Sequence, residues 1–362
     1  MTYGDIMLIE EFNQAITWQA DHASENGAVC TARIIRALPK VRESDTALGH
    51  RMATWEGLTL KDAMPLRVAG GLHYLVLSGK DKRLQSVYSR EITSQDAVDT
   101  LVLEVVSQHD EELLSWLDGP PQTNEAGRSA SIMAGLLWLA QRLPPRFEMF
   151  ELGASAGVNT MMERYFYGLG TTEVGPAGSP MQIVPEWRGS GAPSPAPPDF
   201  EILGSRGCDL TPIDLADPAA ALRLKAYVWP DAPARLERID AAIRLAAEDP
   251  PELAKMDALA FVEQMLARPQ EEGSTRVMYH SIMWQYMPAE TQAAITAAVT
   301  EASAKAAPQS PLAWVALETD PATFRHELKV RYWNGGAGQG HPVLLAHAHP
   351  HGAWVEWIGD PN

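Results

Sequence analysis

The sequence predicts an α/β chain in which a mostly parallel sheet with a C-terminal antiparallel hairpin is preceded by an all-helical N-terminal domain. Three observations carry that expectation. Before about position 145 apolar residues recur at helical spacing, and after it short β-rich runs alternate with helical segments, the pattern of a parallel sheet. The last two strand-like runs, Glu327 to Trp333 and Val343 to Trp357, are joined by the Gly-rich turn NGGAGQGHP, which implies a hairpin. Residues 1–145 are read as a helical domain or cap, and residues 146–362 as the sheet domain.

Composition bounds the function. The chain has 362 residues, 46% hydrophobic and 21% charged, ordinary for a globular protein of about two domains. Its net charge of −17 argues against a nucleic-acid partner, because binding to phosphate backbones rests on clustered Lys and Arg. Cys30 and Cys208 stand far apart without metal-ligand spacing, so neither a disulfide framework nor a zinc site is expected. The N-terminus MTYGDIMLIEEFNQ is acidic where a signal peptide is basic, and no apolar run is long enough for a membrane span. A cytoplasmic protein with a small-molecule partner is the expectation.

In chain order, helices are expected over Ile6 to Ala20, Ala28 to Leu38, the Pro65–Gly79 segment PLRVAGGLHYLVLSG, and Asp96 to Leu117. The segment Pro121 to Pro145 joins the cap to the central stretch. Its Thr123 or Asn124 can cap a helix, and Gln122, Asn124 and Arg128 make it denser in hydrogen-bonding groups than a cap requires. Phe147 to Leu152 is a buried strand, and Gly153 to Gly157 a turn of small residues. Val158 to Tyr167, which holds Asn159, has apolar residues at helical spacing. Irregular chain follows from Thr171 to Pro198, with a short strand over Met181 to Trp187. Asp209 ends the next short strand. Helix Pro233 to Ala247, helix Leu259 to Leu266, strand Val277 to Ile282, helix Ala289 to Ala306 and strand Leu312 to Glu318 complete the alternation.

The strand–turn–helix around GASAG serves two chemistries. As a nucleotide-binding unit, its turn amides face a ligand and Glu151 accepts hydrogen bonds from it. As a nucleophile elbow, GASAG fits G-x-S-x-G with Ser155 as nucleophile, and His341, His347, His349 and His351 come late enough to be its base. The spacing of HAHPH puts alternate histidines on one strand face, but no acidic ligand lies within the cluster and Pro350 interrupts it, so no metal is assigned.

QTNEAGR (Gln122 to Arg128), FELGASAGVN (Phe150 to Asn159) and YHSIMWQYMP (Tyr279 to Pro288) together resemble an uncharacterised bacterial family whose members look like Rossmann-like S-adenosylmethionine-dependent methyltransferases. The resemblance covers most of the chain. It implies a donor site formed by Glu151, Gly153, Ser155, Gly157 and Asn159, with Ser155 standing where such enzymes have a middle glycine. It further implies that Asp209 meets the donor's ribose, with Glu186 as the competing acid. His280 or Tyr286 is the implied proton acceptor, and Gln122, Asn124, Arg128 and Trp284 the implied substrate contacts. A serine hydrolase using Ser155, and a non-catalytic protein that kept a nucleotide fold, are the alternatives.

Overall fold

The computed structural model describes residues 6, 8–189, 191–336 and 340–359. They form two compact units, residues 1–123 with 217–237, and residues 124–216 with 238–362.

The first unit is helical. It contains α1 (Phe12–Glu25), α2 (Val29–Arg36), α3 (Leu38–Arg42), α4 (Ala47–Ala53), α5 (Met64–Leu77), α6 (Gln85–Tyr88), α7 (Gln95–Gln108) and α8 (Asp110–Leu114). Its core joins Phe12, Ile16, Ile34, Ile35, Leu72 and Val102, apolar at helical spacing as the sequence requires. The helix expected over Asp96 to Leu117 breaks at His109 into α7, α8 and a short 3₁₀ turn, Ser115–Leu117. The unit is discontinuous in sequence. The Ala226 carbonyl meets His73 Nδ1 at 3.1 Å, and the Tyr227 ring packs edge-on against Trp116 at 5.2 Å.

In the second unit, α9 (Ser129–Leu139) precedes β1 (Arg146–Leu152), and every residue of α9 is buried. A helix apolar on all sides must be covered on all sides. Here α9 lies on the sheet, with Gly135 against the Val315, Leu328 and Val330 side chains. Residues 124–145 therefore go with the sheet and not with the helical part, as the expected division at 145 had it.

A 3₁₀ helix, Asn159–Arg164, follows the turn, and then come β2 (Phe166–Leu169), β3 (Thr172–Val174), β4 (Gln182–Ile183), β5 (Glu186–Gly189) and β6 (Glu201–Asp209). The helix expected over Val158 to Tyr167 is thus cut short. Tyr165, Tyr167 and Leu169 are all fully buried, a period of two that the sheet β3-β2-β4 satisfies and a helix does not. The single strand expected over Met181 to Trp187 is two, separated by Val184 and Pro185 and belonging to different sheets.

The chain then passes through α10 (Pro218–Ala226) in the helical unit and returns along α11 (Pro233–Glu248). A strand without a clear sequence signal, β7 (Glu252–Lys255), comes next, then α12 (Ala258–Ala267), β8 (Thr275–Ser281), α13 (Ala289–Ser303) and β9 (Leu312–Thr319). The last strands are β10 (His326–Trp333), β11 (Val343–Ala348) and β12 (Trp354–Trp357). Their nine-stranded sheet runs β5-β12-β11-β10-β9-β8-β1-β6-β7, parallel from β9 to β7 and antiparallel from β9 to β12. The turn joining β10 to β11 lies partly outside the described residues.

Val343 to Trp357, expected as one strand, is broken by His349-Pro350-His351-Gly352. Pro350 has no N–H for the ladder, and Gly352 has φ 72° and donates its N–H to His349 O at 2.9 Å. A side chain at Gly352 would put Cβ 2.3 Å from the Gly127 carbonyl carbon and oxygen. Gly352→Ala is therefore expected to destabilise the chain by about 3 kcal/mol or more, read as a drop in the urea midpoint. An unchanged midpoint would show that the two backbones can separate freely.

Candidate functional site at the sheet's carboxyl edge

From β1 the chain builds outward through β6 and β7 on one side, then through β8 and β9 on the other. The strand order reverses beside β1, and a doubly wound sheet binds ligands at the carboxyl ends of the strands at such a point. Glu151 stands there, 2% exposed, paired across the ladder with Tyr279. The Tyr279 hydroxyl donates toward Glu151 Oε2 at 3.4 Å and Asn159 O at 3.2 Å. Burial pushes the Glu151 carboxyl up to about 8; the Asn159 side chain, the Tyr279 hydroxyl and the Arg128 charge pull it back, and the Asp209 charge adds to the rise. At neutral pH Glu151 mostly holds its proton.

The turn is fastened by its own amides. Ala154 N–H donates to Cys208 O at 2.9 Å, Ser155 N–H to Asp209 Oδ2 at 2.9 Å, and Val158 N–H to Asn124 Oδ1 at 2.8 Å. Asp209 Oδ1 also accepts from Thr211 N–H at 2.9 Å. Asp209 and Asn124 thus serve the turn directly. The space beside Gly153 is filled by protein, since a Cβ there would lie 2.9 Å from the Met283 methyl. Ser155 holds φ 52°, uncommon for a residue with a side chain.

Against this closed backbone stand three open side-chain atoms. Ser155 Oγ and both Asn159 Nδ2 and Oδ1 are buried, and none makes a hydrogen bond of acceptable geometry. A buried polar group left unpaired costs about 1–3 kcal/mol, so a cluster of them marks a place for water or ligand.

The other expected site residues separate. Arg128 donates from Nε to Pro350 O at 2.9 Å and from Nη1 to Ser281 O at 3.2 Å, tying the loop after β8 to the turn before β12. His280 is 2% exposed, with Nδ1 2.7 Å from Glu318 Oε1 and Nε2 accepting from the Trp314 indole at 2.9 Å. Both ring nitrogens are therefore engaged. Trp284 stacks on that ring at 4.9 Å and 17°. Tyr286 is 78% exposed on the 3₁₀ turn Trp284–Tyr286. Glu186, on the edge strand β5, pairs with Arg188 at 2.7 Å. Gln122 falls in the helical unit.

The family described as "Uncharacterized protein conserved in bacteria (DUF2332)" matches residues 13–357. The chain belongs to this family. No curated protein matches it, and no solved structure does. The family match runs from α1 to β12 and includes every site residue named above.

Two participants carry little signal in the sequence. Tyr279 lies within YHSIMWQYMP, but its apolar neighbours make it look like filling. Glu318 closes an apolar strand, and only the register Ser281↔Leu317 brings it beside the loop after β8. Among the described residues no group of three or more His, Cys, Asp or Glu side chains is arranged to hold a metal ion, and no helix is long and apolar enough to cross a membrane.

Proposed function

We propose that the sheet unit binds S-adenosylmethionine beside the Gly153–Gly157 turn and is a methyltransferase acting on a small-molecule acceptor. The observation that carries this reading is the cluster of buried, unpartnered polar atoms on Ser155 and Asn159, next to the Glu151 carboxyl, at the reversal of strand order. Glu151, Ser155 and Asn159 offer donors and acceptors together, which suits a ligand with an amino-acid end. When bound, S-adenosylmethionine supplies a methyl group activated by a sulfonium. The chain's part is to hold and align, and an in-line displacement asks chiefly for alignment. Each Asp209 oxygen already accepts one amide and keeps a lone pair for a ligand hydroxyl. His280 would have to release Glu318 or Trp314 to take a proton, so Tyr286 is the side chain of the pair open to an acceptor. We take the cytoplasm as the compartment, in line with two free thiols, Cys30 and Cys208.

One observation favours the serine-hydrolase alternative, the left-handed backbone at Ser155. A nucleophile needs a base within hydrogen-bond reach, and Ser155 Oγ has no partner.

The test is calorimetric titration with S-adenosylmethionine and S-adenosylhomocysteine. Wild type should bind, and Ser155→Ala and Asn159→Ala should each weaken binding about tenfold, since about 1.4 kcal/mol is one hydrogen bond's worth. Ser155 Oγ pairs with nothing within the protein, so Ser155→Ala breaks no internal hydrogen bond and is the cleaner variant; Asn159→Ala also removes the side chain that holds the Glu151 carboxyl down. If Glu151 meets the donor's ammonium, binding at pH 7 releases close to one proton, visible as a dependence of the heat on buffer ionisation enthalpy. Folded protein that gives no heat with either ligand would end the methyltransferase reading; labelling of Ser155 by a fluorophosphonate would then favour the hydrolase.

A further inference from the structure

The loop after β8 is pinned by one carboxylate oxygen. Glu318 Oε1 accepts from His280 Nδ1 at 2.7 Å, from Met283 N–H at 3.1 Å and from Trp284 N–H at 3.3 Å. The other oxygen, Oε2, is buried and has no partner. This is a costly arrangement for a carboxylate, because an ionised oxygen withdrawn from water needs a donor or a cation. His280 brings no positive charge. It accepts the Trp314 indole N–H at Nε2, so its one ring proton sits on Nδ1 and is given to Oε1. Among the described ion pairs only His280 reaches Glu318, and the Glu318 charge also acts on His326.

The surroundings are aromatic. Trp284, half-buried, lies flat on the His280 ring, and its own ring centre is 5.3 Å from that of Trp314. Trp314 already carries one cation, the Arg331 guanidinium 5.2 Å from its ring centre. An unpaired carboxylate oxygen whose twin holds the Trp284 amide and the ring of His280, with both indoles packed on that histidine, is chemistry that favours an organic cation over a neutral molecule or an anion. The position also fits, at the carboxyl ends of the parallel strands β8 and β9.

We propose that Glu318 Oε2, with the indoles of Trp284 and Trp314, forms a recognition point for an organic cation that carries an N–H, a protonated primary or secondary amine. The amine N–H donates to Oε2 and its charge faces the Trp284 ring. This site is separate from the turn beside Glu151 and stands whether or not a methyl donor binds there; on the methyltransferase reading it names an amine as the acceptor class.

The experiment follows the tryptophan indole N–H resonances of the ¹⁵N-labelled full chain during titration with n-pentylammonium, 1-pentanol and tetramethylammonium. The Trp284 signal is assigned by its loss in Trp284→Phe. Pentylammonium should shift the Trp284 and Trp314 signals at concentrations about tenfold below those needed for pentanol or for tetramethylammonium, which has charge but no N–H. Glu318→Gln should abolish that preference, since its amide oxygen can still hold the loop while its NH₂ group meets the incoming donor. Equal response to pentylammonium and pentanol, an unchanged preference in Glu318→Gln, or no response in folded wild type would each overturn the proposal. If Glu318→Gln does not fold, the comparison of the three probes on wild type decides. Binding of S-adenosylmethionine is read separately by calorimetry, so the two readings fail independently.

Discussion

Glu151→Gln is expected to stabilise the folded chain at pH 8 by a few kcal/mol and to leave it nearly unchanged at pH 5. Burial lifts the Glu151 carboxyl from 4.5 to about 8, so the native state keeps a proton that the unfolded chain has released over most of that interval. Where the native state binds more protons, stability falls as pH rises. The contribution of Glu151 is therefore fully present below about pH 4.5 and is lost as pH climbs through about 8, at roughly 1.4 kcal/mol for each pH step of one. Glutamine keeps the shape of the protonated acid and cannot ionise. Urea unfolding of wild type and variant at pH 5, 6.5 and 8 measures the difference directly. Curves that stay parallel across that range would mean that Glu151 is solvated in the native state, and the site would lose its neutral acid. The same variant should lose the proton release that accompanies donor binding, which links the stability measurement to the proposed function.

The carboxyl edge of the sheet is legible in the sequence because strand and turn are written locally. An apolar run followed by five small residues leaves a strand and a sharp turn as the simplest outcome, and Glu151 at the strand's end follows from counting. The next stretch is not legible, because Tyr165, Phe166 and Tyr167 satisfy a helical and a strand period at once. The choice is made by long-range contacts, such as the Tyr167 hydroxyl on Ser129 Oγ at 3.0 Å, which no local window contains. The roles of Asn124 and Asp209 are hidden for the same reason. Polarity marks both as ligand contacts, yet both are used by turn amides tens of residues away. Histidine is the common base, but the proton traffic of His280 is fixed by Glu318 and Trp314, 38 and 34 residues on. Polar residues at a strand end are thus easy to find, and their partners are set by register.

The return of residues 217–237 to the helical unit is equally out of reach of local pattern, and it carries the second large expectation: Asp231→Ala should cost about 3 kcal/mol. The N-cap residue of α2, Ala28, has no side chain able to cap, so the first amides of that helix need an acceptor from elsewhere. Asp231 supplies it. Its carboxylate takes Cys30 N–H, Thr31 N–H and the Thr31 hydroxyl, each at 2.9 Å, with the Asp231 side chain only 2% exposed. Truncation strands three donors on Cys30 and Thr31, which are both buried. Asp217, which caps α10 from an exposed position by one bond to Ala219 N–H at 3.0 Å, is the matched control, and Asp217→Ala should cost about 1 kcal/mol. Equal losses for the two variants would mean that water replaces Asp231 at little cost. The same geometry predicts the fate of a fragment cut at residue 145. It would keep α1 to α8 but lack Asp231, the carbonyl of Ala226 that meets His73, and the Tyr227 ring that packs on Trp116. The helical unit needs a segment that the chain delivers only after it has built β1 to β6. Its stability is therefore a property of the whole sequence, and not of the stretch in which most of its helices are written.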